Sequence, residues 1–119
     1  MINDIYDDFV KSEKIYPIII PRIQGYEIGW EIKDINSVLQ WLKSKNKIIL
    51  GGDIVNLLKE YTYDNWYYNY NNSISYIDNV NNSFIRAQEY TAQYLKKNGD
   101  KYYVIIVYSD DPAWLKAIN

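Results

Sequence analysis

The run Ile48-Ile49-Leu50-Gly51-Gly52-Asp53, followed by Tyr61-Thr62-Tyr63-Asp64-Asn65-Trp66, constrains this chain more than any other stretch. An apolar segment enters two adjacent glycines and an aspartate, and a tyrosine-rich segment then reaches Trp66. Paired glycines after a strand-like run mark a place where a Cβ would obstruct: a positive φ, a bulge, or another segment lying close. The expectation is a strand over residues 48–50, a turn at Gly51, Gly52 and Asp53, and a second strand that carries Trp66 inward. In this reading Gly51, Gly52, Asp53 and Trp66 are a structural motif.

The 119 residues suit one domain spanning 1–119. With 48% apolar and 24% charged residues, the composition is that of a soluble globule. Fourteen tyrosines raise the aromatic share to 17%, which suits half-buried strands and recognition surfaces alike. A net charge of −2 gives no basic face for nucleic acid. No cysteine means no disulfide and no thiolate site, and no histidine removes the commonest general base and transition-metal ligand. The start, Met1-Ile2-Asn3-Asp4, is acidic, unlike a signal peptide, and the apolar residues 15–20 are too few to span a bilayer. The expected setting is the cytoplasm, with no membrane partner, no metal and no cofactor.

Along the chain, Ile5, Tyr6, Phe9 and Val10 have helical spacing. Residues 15–24 are extended, and Pro17 and Pro21 place them at a sheet edge. Gly25 and Gly29 suggest a loop leading to Trp30. Asp34 is a candidate cap for a helix that turns Ile35, Val38, Leu39 and Leu42 to one side. Residues 54–61 are ambiguous and are read as weakly helical. Residues 63–70 are read as a strand with Trp66, Tyr68 and Tyr70 inward and Asn65, Tyr67 and Asn69 outward. A long amphipathic helix over residues 78–98, capped by Asp78, carries the stripe Ile77, Val80, Phe84, Ala87, Thr91 and Leu95. Residues 102–108 are apolar on both faces and belong in the middle of a sheet. Asp111 and Pro112 open a short helix docked by Trp114, Leu115 and Ile118. The class is α+β: a single compact domain with a mostly antiparallel sheet packed against two main helices.

Few residues suggest chemistry. Asp53, Glu60 and Asp64 are oxygen donors for a hard cation, but without the spacing of a calcium loop. Glu31 beside Trp30 is a candidate general acid if buried. For Asp53 the plainer role is to accept hydrogen bonds from the amides of its own turn. No serine lies in a nucleophile elbow. Tyr67, Tyr76, Tyr90 and Tyr94 are candidates for an exposed aromatic patch.

The order of features, from Ile49-Leu50-Gly51-Gly52-Asp53 through Asp64-Asn65-Trp66-Tyr67, then Ser83 and Ala87 before Tyr94-Leu95, to Tyr103-Val104-Ile105-Ile106-Val107, resembles the immunity protein 40 family of bacterial polymorphic toxin systems. The similarity covers residues 34–108. It implies a cytosolic antidote that binds a cognate toxin and blocks it by stoichiometric inhibition, without catalysis. Asp64, Tyr67, Asp110 and Asp111 are the candidate partner contacts. The alternative is a small enzyme or ligand-binding domain using Asp53, Glu31 or Asp64.

Overall fold

The double glycine lies inside a strand rather than in a turn. In the computed structural model, which describes residues 4–111 together with 113 and 115, that strand is β3, Ile48–Asn56. Before it come α1 (Asp4–Glu13), β1 (Ile18–Pro21), β2 (Tyr26–Glu31), a 3-10 turn (Ile32–Asp34) and α2 (Ile35–Ser44). After it come β4 (Tyr61–Tyr67), α3 (Tyr76–Asn98) and β5 (Tyr102–Ser109). The five strands form one sheet in the order β1-β2-β5-β3-β4, every pairing antiparallel. Among the described residues the fold is α+β, a compact globule of a five-stranded antiparallel sheet with the helices α1, α2 and α3.

Register explains most of the burial. Gly52 pairs with Trp66 on one side and Ile106 on the other, and Ile54 pairs with Val104. Trp30, Ile54, Trp66 and Val104 share one face and one core with the helices. From α1, Tyr6 and Phe9 meet Trp30 edge-on at 5.0 and 5.5 Å. The Trp41 indole of α2 donates to the Ile5 carbonyl at 2.7 Å, fastening α2 to α1. Helix α2 buries Ile35, Val38, Leu39 and Leu42, each contributing about 1.5–3 kcal/mol. Helix α3 buries Val80, Phe84 and Ala87, and Tyr90 stacks on Trp66 at 5.1 Å.

Two buried polar side chains on α3 are fully engaged. Ser83 accepts from the Ile49 amide at 3.0 Å and donates to the Val80 carbonyl. The Asn79 carboxamide accepts from the Tyr68 hydroxyl and the Asn71 amide, and donates to the Asn71 and Ser75 carbonyls. It thereby fixes the connection from β4 to α3.

Several expectations need correction. Residues 54–56 continue β3 instead of starting a helix, because Ile54 and Val55 are both fully buried, one on each face. The chain then reverses at residues 57–60, where Asn56 Oδ1 accepts from the Leu58 and Glu60 amides. The inferred loop before Trp30 is strand β2; only Gly25, at φ 82°, belongs to the turn. Gly29 faces Ile20, whose Cδ1 would lie 2.6 Å from an added Cβ. Strand β4 begins at Tyr61 and ends at Tyr67, two residues before and three before the expected limits of 63 and 70. Asp34 occupies the cap position of α2 but makes no side-chain cap bond. Ser75, not Asp78, caps α3, accepting from the Asp78 amide at 3.0 Å. Ile77 is half exposed and outside the buried stripe. Asp111 accepts from the Ala113 amide at 3.0 Å and Leu115 is buried; Pro112, Trp114 and Ile118 lie outside the described residues.

Candidate functional site: the open face of the sheet

The helices take one face of the sheet, and the other carries the side chains of alternate residues. Asp53 pairs with Asn65, and Gly51 with Tyr67. Alternation therefore sets Asp53, Asn65 and Tyr67 opposite the Trp66 indole. Val107 pairs with Gly51 on the other flank of β3. Tyr67 is 65% exposed and Val107 44%. Asp53, Asn65, Tyr67, Asn69 and Val107 line a groove of about 410 Å³ over Gly51 and Gly52.

Gly51 leaves β3 without a side chain on this face between Leu50 and Asp53, while Gly52 faces Trp66. A Cβ on Gly51 would run into β4, with Tyr67 Cα at 3.0 Å. One on Gly52 would meet the Trp66 ring and lie 2.6 Å from the Ile105 carbonyl oxygen. The β3–β5 register also shifts between Ile49 and Gly51, so a bulge and close neighbours coincide.

Beside the groove the face is closed by a polar tie. Arg22 Nε donates to Glu27 Oε1 at 2.6 Å and to the Tyr61 hydroxyl at 3.0 Å. The Tyr61 hydroxyl donates to the same Glu27 oxygen at 2.5 Å. The Arg22 guanidinium lies 4.1 Å from the Tyr61 ring centroid, a cation–π distance. These contacts join the β1–β2 hairpin to the start of β4; a separate small cluster of Ile20, Val55 and Ile105 is packed by Ile18 and Tyr103.

Asp53 stands between tie and groove. Burial, then the Glu27 charge, push its carboxyl above the usual aspartate range, with Arg22 opposing. Among the described residues no hydrogen bond or ion pair reaches that carboxylate, so the expected bonds to turn amides are absent; there is no turn to supply them.

The other carboxylates are elsewhere. Asp64 is on the helix side of β4 and accepts from the Tyr94 hydroxyl at 2.8 Å, a bond that, after burial, raises Tyr94 to about 12. Glu31 is exposed, 4.0 Å from Lys33. Among the described residues no group of three or more carboxylates can hold a metal ion. Asp110 is exposed and paired with Lys47, whose hydrogen bond and charge lower its pKa. Asp111 is exposed at the end of β5. The structure thus places Tyr67 on the open face, Asp64 on the helix side, and Asp110 and Asp111 past the end of β5. Of the four tyrosines suspected of facing outward, only Tyr67 is exposed. Tyr76 donates to the Asn46 carbonyl, while Tyr90 and Tyr94 pack against the core. The Arg22–Glu27–Tyr61 tie was not foreseen; a charged pair five residues apart across Gly25 is its one trace in the sequence.

The chain is thus a small α+β protein with one sheet face under helices and the other presenting tyrosine, asparagine and carboxylate. The profile of the family described as Immunity protein 40 matches residues 19–108, and the chain belongs to that family. No curated protein and no solved structure matches the chain. Among the described residues no helix is long and apolar enough to cross a membrane.

Proposed function

We propose that this protein is a cytoplasmic antidote of a bacterial polymorphic toxin system, binding its cognate toxin domain one to one and blocking it without chemistry. The observation that carries this reading is the family match over residues 19–108. The open groove with exposed Tyr67 supports it as a docking surface. Tyr67, Asp110, Asp111 and Asp64 are proposed contacts. Tyr67 supplies an aromatic anchor; the carboxylates act chiefly on association rate and give salt sensitivity.

The test is co-expression with the toxin domain encoded beside this protein, followed by calorimetric titration of the purified pair. Protection of cells and a stoichiometry of one are expected. Absence of both binding and protection would overturn the reading. Turnover of the toxin or of a small molecule by this protein alone would replace inhibition with catalysis.

A further inference from the structure

The open face already holds one guanidinium of this chain and carries the elements for a second. In the first, Arg22 lies against the Tyr61 ring while Glu27 accepts its Nε–H. In the second, Tyr67 and Asp53 line one groove; Asn65 stands opposite Asp53 in the register, two residues before Tyr67 on β4. Diagonal neighbours of this kind stand about 7–8 Å apart, close enough for one planar group to reach both. Gly51 leaves β3 without a side chain on this face, and Val107 offers an apolar wall for an aliphatic stem. Among the described residues no basic side chain lines the groove.

We propose that the groove over Gly51 and Gly52 receives an arginine side chain of the partner protein, its guanidinium on Asp53 and its plane against Tyr67. Charge complementarity carries the choice of occupant. Asp53 and Glu27 place two carboxylates on this part of the face, and the cations nearest among the described residues are already engaged, Arg22 by Glu27 and Arg86 by the Tyr67 carbonyl. The partly desolvated Asp53 carboxylate, raised by burial and by Glu27, gains most from a cation that arrives with its own donors. Tyr67 favours a flat guanidinium over an ammonium, because a planar cation can stack and hydrogen-bond at once. That a toxin owns this arginine rests on the function proposed above; the chemistry of the groove does not.

The experiment uses the full chain and a defined probe, Nα-acetyl-arginine amide, followed by amide NMR at low salt. The lysine and glutamine analogues are run in parallel. Saturable shifts at Gly51, Gly52, Asp53 and Asn65 are expected with the arginine probe, and none with glutamine. Asp53→Asn should weaken the arginine response at least about tenfold, as loss of a charge-assisted pair worth roughly 1.5–3 kcal/mol requires. Tyr67→Ala, at an exposed position that does not endanger folding, should weaken it several-fold. No saturable shift, or shifts indifferent to both substitutions, would overturn the proposal; a lysine probe matching arginine would overturn the choice of arginine. With the toxin in hand, wild-type binding that survives Asp53→Asn unchanged would sink this inference alone. Absence of wild-type binding would sink the immunity reading and leave the probe titration to judge the groove.

Discussion

The ring of Trp66 covers Gly52 so closely that the glycine has no space for a Cβ on that side, while the Ile105 carbonyl crowds it from β5. One residue is large because the other is absent. Trp66 is 3% exposed and stacks on Tyr90, so it ties β4 to α3 through the gap that Gly52 leaves. Trp66→Ala should destabilise the fold by about 3–5 kcal/mol. Denaturant melts measure this, and a loss under about 1 kcal/mol would show that the ring is not a core element.

Gly52→Ala should cost about 1–3 kcal/mol through overpacking. The diagnostic is a second background. In Trp66→Leu the ring is gone but the Ile105 carbonyl remains, so the cost of Gly52→Ala should fall without vanishing. Equal costs in both backgrounds would mean that the carbonyl alone sets the limit.

Ser83→Ala should cost about 1–3 kcal/mol, because the Ile49 amide would be left buried without its acceptor. Ser83→Thr does not rescue it unless the added methyl finds room among buried neighbours. Hydrogen exchange at the Ile49 amide gives the direct readout: protection should drop in Ser83→Ala more than at neighbouring strand amides.

Asp53→Asn should act in opposite directions on folding and on binding. The folded carboxyl has a raised pKa, so the folded state holds its proton more tightly than the unfolded chain does. This contribution favours folding below the unfolded pKa and is lost as pH rises through the folded one. At neutral pH ionised Asp53 is therefore a cost, which Asp53→Asn removes. The variant should melt higher than wild type at pH 7, with the gain shrinking as pH falls through the raised folded pKa and gone below about 4, where model aspartate protonates. Binding to a cationic partner should weaken at the same time. A lower melting temperature at pH 7 would contradict the argument.

The Lys47–Asp110 pair has the reverse sign. Lys47 lowers the Asp110 pKa, so its stabilisation is present above the unfolded pKa and fades as pH falls through the folded one. The Asp110 side chain is 59% exposed, which limits Lys47→Ala to under about 1 kcal/mol. Thermal melts across pH 2–7 at low salt would show the wild-type and variant curves converging in acid.

The long helix was legible because one side of α3 meets core and the other water, which leaves a plain three- and four-residue stripe. The middle position of β5 was legible for the opposite reason: residues buried on both faces read as unbroken apolar sequence. The same physics hid the rest of β3. Ile54 and Val55 are buried on opposite faces and show no alternation, and Leu57 and Leu58, which looked like helix positions, are exposed at the hairpin tip. The start of β2 was hidden by glycine. Gly29 marks where the Ile20 side chain lies over the backbone, and sequence cannot separate that from a turn. The candidate site was only partly legible. Tyr67 opposite Trp66 follows from alternation, but its partnership with Asp53 depends on the β3–β4 register, which a bulge shifts between Asp53 and Val55. Arg22 and Tyr61 are brought together by the whole sheet, and no local pattern contains them.

The central position of β5 has a consequence for assembly. It is the last strand among the described residues, yet β2 and β3 pair only through it. A chain emerging from a ribosome can close the β1–β2 and β3–β4 hairpins early, each a local event. It cannot join them until residues 102–109 arrive, and the joining contacts span most of the chain, which slows folding. Chains truncated before residue 102 should therefore expose strand edges and be readily proteolysed, whereas chains that include β5 should resist. Protection would switch on as a single late event in synthesis instead of growing with chain length.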